Sequence, residues 1–169
     1  MKKPRKSQDF IRRHGKDERM YGEMLEDAYQ ARGKYPEPSV CTGCDAVFHK
    51  GRWQWAAAPA EAHKQLCPAC QRIHDGQAAG IVTISGDFFA GHKQEILGLI
   101  HHLETKEKAE HPLQRIMAIE DDDNGATVSL TDMHLARGIG VALHHAYQGD
   151  VEYHYTDKDT VFRVTWSRS

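Results

Sequence analysis

Apolar positions along this 169-residue chain fall into three regimes. From residue 79 onward they are regular. Ile81-Val-Thr-Ile-Ser85 is rich in β-branched residues and reads as a strand. From Phe88 to about Glu110 the period becomes helical, with Ile96, Leu97, Leu99, Ile100 and Leu103 as the apolar stripe. Gln114–Glu120 and Ala126–Leu130 read as strands joined through Asp123-Asn-Gly125, because Asn-Gly tolerates the positive φ of a tight hairpin. Thr131 or Asp132 caps a second helix that runs through Tyr147 and stops at Gly149. Asp150–Tyr155 and Val161–Trp166 then form a hairpin around Asp157-Lys-Asp159. The order β-α-β-β-α-β-β predicts an α+β domain over residues 76–169, a split β-α-β sandwich of ferredoxin-like layout with one added strand.

Before residue 76 the pattern is sparse. Residues 1–16 hold seven Lys or Arg and, as bulky apolar residues, only Phe10 and Ile11. So little apolar surface cannot offset the entropy of folding, so the segment reads as a flexible basic arm. Met20, Met24 and Ala28, with Tyr21 and Leu25, recur at helical spacing over 17–32, up to Gly33. Lys34-Tyr-Pro-Glu-Pro-Ser39 reads as a linker, so residues 1–38 form arm, short helix and linker. All four cysteines follow, in a third unit at 39–75.

Charge sharpens this division. The net charge is −2, but residues 1–34 carry ten Lys/Arg against six Asp/Glu, and residues 76–169 carry eight against fourteen. A cationic arm on an acidic body points to a polyanionic partner for one end only. No apolar run reaches the roughly 18 residues of a membrane span, and no apolar stretch follows the basic start. The expectation is a protein of the reducing cytoplasm with no membrane partner.

Cys41-Thr-Gly-Cys44 and Cys67-Pro-Ala-Cys70 are two Cys-x-x-Cys pairs separated by 22 residues. Each can form a knuckle with both sulfurs aimed at one ion, and two facing knuckles make a tetrahedron of thiolates. One structural Zn(2+) in a zinc ribbon is the expected occupant, with Gly43 and Pro68 serving the tight turns. Two disulfides would need an oxidising compartment. A single iron, or a redox dithiol, are the other readings of such pairs. His49, His63 and His74 lie nearby and are expected on the surface. Four thiolates leave no open position for water, so the ion should not be catalytic.

After the first knuckle comes Phe48-His-Lys-Gly-Arg-Trp-Gln-Trp55. If extended, it puts Arg52 and Gln54 on one side and Trp53 and Trp55 on the other. Cations beside aromatic faces suit RNA, whose unstacked bases lie on such rings; the competing role for both tryptophans is to cover the small ribbon core. The candidate nucleic-acid contacts are Lys2, Lys3, Arg5, Lys6, Arg12, Arg13, Lys50, Arg52 and Trp53. Glu120-Asp-Asp-Asp123 lacks the ligand spacing of a calcium loop and reads as a solvated turn. The twelve histidines include His101-His102 and His144-His145, whose rings diverge by about 100° on a helix. His134, near a helix start, has no Ser, Cys or Asp partner identifiable in the sequence. Gly138 and Gly140 form no phosphate loop and are expected to permit close helix–sheet packing. No nucleophile, acid pair or open metal site emerges, so no catalysis and no small-molecule substrate are expected.

Cys67-Pro-Ala-Cys70-Gln-Arg72, followed within ten residues by a strand, resembles the end of the zinc-ribbon region in the large-subunit export adaptor family of nonsense-mediated-decay-protein-three type. His134-Leu-Ala-Arg-Gly-Ile-Gly140, Tyr147-Gln-Gly-Asp150 and Val161-Phe-Arg-Val-Thr-Trp166 are similar to the α/β module that follows there. The resemblance spans roughly residues 40–167. It implies binding to the large ribosomal subunit through zinc-stabilised and basic surfaces. That family carries more cysteines and further domains, and this short chain also resembles small uncharacterised bacterial proteins, which serve no nuclear export. What carries over is ribosome or rRNA association in translation, with a stress or ribosome-silencing (hibernation-type) role. The competing expectation is a zinc-ribbon protein–protein adaptor that does not touch RNA.

Overall fold

The computed structural model describes residues 35–155 and 160–169. The arm and helix expected over 1–34, and the hairpin tip Asp157-Lys-Asp159, lie outside the described residues.

The cysteine-bearing unit is a four-stranded sheet with one helix. Its strands are β1 (Ser39–Cys41), β2 (Val47–His49), β3 (Arg52–Gln54) and β4 (His63–Gln65), followed by α1 (Pro68–Asp75). They are ordered β3-β2-β1-β4. Lys50 and Gly51 both adopt positive φ, 52° and 77°, so the β2–β3 link is a tight primed turn. The sequence reading contained no α1. Its start is set by Cys67 as N-cap and Pro68 in the first turn, and its end by Gly76 in the left-handed conformation (φ 66°). The second knuckle is therefore the first turn of a helix.

The second unit is an α+β two-layer sandwich. It comprises β5 (Gly80–Ser85), α2 (Asp87–Glu110), β6 (Ile116–Asp121), β7 (Gly125–Leu130), α3 (Met133–Tyr147), β8 (Asp150–Tyr155) and β9 (Phe162–Ser167). Asp132 is the N-cap of α3 and accepts the Leu135 N–H at 3.1 Å. Strand alternation sends Val82, Ile84, Ala126, Val128, Leu130, Phe162, Val164 and Trp166 into one core. From α2, Ile96 and Ile100 meet them, with Leu97, Leu99 and Leu103 at the margin. From α3 come Leu135, Ala136, Ile139 and Leu143. Gly140 lets α3 approach β9: a Cβ there would stand 2.7 Å from Val164 Cγ1. Gly138 has no such constraint, its nearest neighbour being Leu103 Cδ2 at 3.8 Å.

The strand order is β6-β7-β5-β9-β8, which departs from the expected ferredoxin-like layout. In that layout the strand after the second helix would lie beside β5. Here β9 lies there instead, parallel to β5, and β8 is displaced to the edge. Burial explains the exchange. β9 contributes three fully buried apolar side chains, whereas β8 exposes Asp150, Glu152 and His154. The more apolar partner of the hairpin takes the central place. The face away from the helices is polar. One row across it reads Glu152, Thr165, Thr83, Thr127, Glu120.

Candidate metal centre

Backbone pairing brings the two knuckles together. Cys41 ends β1, and the parallel β1–β4 register sets it opposite Gln65, two residues before Cys67. The first knuckle closes through Asp45 N–H to Cys41 O at 3.0 Å and Cys41 N–H to Ala46 O at 2.7 Å. Asp45, not Gly43, takes the positive φ in this turn (66°). Gly43 is needed for another reason: a Cβ on it would stand 2.8 Å from Cys70 Sγ.

The outcome is a cluster of Cys41, Cys44, Cys67 and Cys70 whose ligand atoms all lie within 4.8 Å of one another. None is in a disulfide. Cys44 and Cys67 sulfurs are 3.8 Å apart. Zn–S bonds of about 2.3 Å in a tetrahedron have an edge of about 3.8 Å, so the donor set fits a metal ion held by four sulfurs. His49, His63 and His74 are exposed and outside the cluster.

Every sulfur also has a hydrogen-bond donor. Cys41 Sγ accepts from Gly43 N–H at 3.4 Å and Cys67 N–H at 3.2 Å. Cys67 Sγ accepts from Cys70 N–H at 3.4 Å at the start of α1. Further donors come from Arg115, at the entry to β6. Its Nη2 lies 3.0 Å from Cys67 Sγ, 3.3 Å from Cys70 Sγ and 3.7 Å from Cys44 Sγ, and its Nη1 lies 3.3 Å from Cys70 Sγ. Arg115 is only 7% exposed. Sequence reasoning did not find it, because it stands 45 residues beyond Cys70 in an ordinary strand context. An isolated Arg amid apolar residues was the only local sign.

These contacts shape the thiols. A hydrogen bond from Cys67, together with the Ala46 backbone and the Arg115 charge, outweighs burial and lowers the Cys44 thiol to about 5. The same hydrogen bond and burial push the Cys67 thiol up, so the two shifts are two sides of one shared proton. Cys70 is raised, chiefly by burial. Burial opposes the Arg115 charge, but its bond to Cys70 and the Cys67 and Cys44 charges raise its pKa above the ordinary value. The arrangement is a closed four-sulfur site capped by a cation.

Around it, Trp53 takes the second of its two expected roles, cover of the ribbon core, and is not placed as an open stacking platform. The ring is 8% exposed and sits in an aromatic cluster, 5.2 Å from Tyr35 and 5.4 Å from Phe48 between centroids. The ribbon has so little aliphatic content that this indole serves as its core. Trp55 is 40% exposed and donates its Nε1–H to Lys108 O at 2.7 Å, tying the ribbon to the end of α2. Lys50 and Arg52 are exposed on the β2–β3 hairpin. Lys2, Lys3, Arg5, Lys6, Arg12 and Arg13 lie outside the described residues.

Elsewhere, Asp122 accepts the Asn124 and Gly125 N–H groups at 2.7 and 2.9 Å, and Asp121 pairs with Lys93 at 2.5 Å. Of the acidic run, Asp122 is engaged in its own turn and Asp121 reaches α2. His101, His102, His134 and His145 are exposed, and the His144 and His145 rings are 6.5 Å apart. No helix among the described residues is long and apolar enough to cross a membrane. Comparison with protein-family models, with curated proteins and with solved structures finds no match to this chain.

Proposed function

We propose that this chain is a non-enzymatic, zinc-stabilised protein that binds the ribosome or its RNA, in the manner of a bacterial stress or ribosome-silencing factor. The observation that carries the reading is the closed four-sulfur site joined to a short hairpin whose exposed tip bears Lys50 and Arg52. Zinc suits four thiolates because it is redox-inert and has no competing geometric demand. A sulfur shell that is complete in itself gives structure rather than chemistry. The ribbon is too small to bury much core, so the ion supplies much of its folding free energy. The stiffened hairpin then offers its cations to phosphates, and Lys2, Lys3, Arg5, Lys6, Arg12 and Arg13 supply further positive charge to the same partner. The resemblance to the ribosomal export adaptors points to the same partner class, and no catalytic step is assigned.

Cytoplasmic lysate sedimented through a sucrose gradient at low salt tests this. The reading expects the protein to travel with ribosomal particles. Recovery entirely at the top of the gradient contradicts it. Five phosphate contacts on single-stranded RNA would give log affinity a slope near −3.5 against log salt, about −0.7 per contact. Removing residues 1–16 should weaken binding and flatten that slope.

A second reading, a protein–protein adaptor, is favoured by the open sheet face, whose central row is closed at both ends by Glu152 and Glu120. Salt-insensitive capture of a protein partner by the chain lacking residues 1–16 would support this reading over the first.

A further inference from the structure

Arg115 belongs to the α+β unit, yet its guanidinium is spent on the ribbon. Its own position is fixed from behind. Arg115 N–H donates to Thr131 Oγ1 at 2.9 Å, and Thr131 N–H donates to Arg115 O at 2.9 Å. The Thr131 hydroxyl is held in turn by Leu113 O at 2.7 Å. The backbone at the head of β6 is therefore anchored to the end of β7, and the side chain projects from a rigid base. Two neighbours mark the same seam between the units. Leu113 packs on the ribbon's buried cluster, and Trp55 bonds Lys108.

The fork reaches three sulfurs at once, those of Cys44, Cys67 and Cys70, while Cys41 is served by backbone N–H groups. The rigid fork of a guanidinium loses least in bonding three acceptors when they are held in a fixed triangle. A tetrahedrally bound ion imposes that triangle, and four thiolates around a divalent cation leave surplus negative charge for Arg115 to offset. Removing the ion frees the sulfurs to separate and leaves a buried cation with weaker partners, which is costly. Linkage is reciprocal: what docks the units tightens the metal, and the metal docks the units.

We propose that Arg115 is a positioning residue that couples metal occupancy to the seating of the ribbon on the α+β unit. The inference rests on the metal-holding reading of the four cysteines. The test uses the full chain, with Arg115→Met and Arg115→Lys variants. Zinc affinity is measured by competition with a chromophoric chelator, the site is read by cobalt(II) absorption, and the seam by hydrogen exchange at Leu113–Ile116. Arg115→Met should bind zinc about tenfold or more weakly, keep the four-thiolate cobalt(II) bands, and exchange faster at Leu113–Ile116 even when loaded. Chelating the metal from the wild-type chain should produce that same loss of protection. Arg115→Lys, which retains the charge without the fork, should fall between, and it decides the matter if the Met variant does not fold. Wild-type affinity in both variants, or full protection at Leu113–Ile116 after chelation, overturns the coupling while leaving the metal site intact. A wild-type chain that takes up no metal overturns the site itself.

Discussion

Gly43 and Arg115 both bear on the Cys70 sulfur, one by lacking a side chain and the other by bringing a cation. At Gly43 a methyl group would stand 2.8 Å from Cys70 Sγ. Gly43→Ala should therefore weaken zinc affinity by displacing Cys70, while the melting of the α+β unit is unchanged; equal affinity in a chelator competition would contradict this. The thiols themselves set a pH dependence. Cys67 and Cys70 are raised above the ordinary thiol value and hold their protons at neutral pH, whereas Cys44, at about 5, is already ionised. A bound ion needs all four as thiolates, so uptake at pH 7 releases at least the protons of Cys67 and Cys70, and affinity rises with pH. Below about 5 Cys44 also protonates, and binding weakens further. Calorimetry in buffers of different ionisation enthalpy reads this release directly; uptake without it would contradict the protonation scheme. The four ligands were legible in the sequence because Cys-x-x-Cys spacing is itself the geometry of a knuckle. Arg115 was not, because nothing near residue 115 signals that β6 begins against the ribbon. The sequence left Trp53 between platform and core, because alternation shows which side a ring takes and leaves open which side is covered.

At the scale of elements, long periodic segments were readable and their neighbours were not. α2 and α3 follow from apolar stripes and an Asp cap, and their outer bounds match the expectation within a residue or two, but α2 is broken by a kink at His92 (φ −133°) that the stripe does not reveal. α1 was hidden because its eight residues show no apolar stripe, and its N-cap is a cysteine already claimed by the metal. The place of β9 was hidden because sequence order favours β8 beside β5, and only the comparative burial of the two strands reverses that. Helix–sheet packing depends on Gly140, so Gly140→Ala should cost about 1–3 kcal/mol by overpacking against Val164. Unchanged denaturant unfolding would show that α3 can shift to make room. The ribbon's strands are three residues each, too short to persist alone. Chelation should therefore remove hydrogen-exchange protection from β1–β4 and α1, while β5, β7 and β9 remain protected. Retained ribbon protection without metal would contradict the dependence.

For the whole molecule, the chain joins a small cysteine-bearing lobe to a larger sandwich with its own apolar core. Residues 35–75 carry four Lys/Arg against four Asp/Glu, with Lys50 and Arg52 on the ribbon hairpin, whereas residues 76–169 carry eight against fourteen. On the proposed reading a polyanion meets the hairpin that bears Lys50 and Arg52, and the proposed role of Arg115 ties the geometry of that lobe to the ion. The claim beneath all of this is that four sulfurs hold one ion. Metal analysis of the purified chain by native mass spectrometry, with thiol titration before and after chelation, tests it most directly. The account predicts one zinc per chain, four thiols shielded from reagent while it is bound, and four reactive thiols once it is removed. A chain that carries no metal, or whose cysteines are found in disulfides, contradicts it.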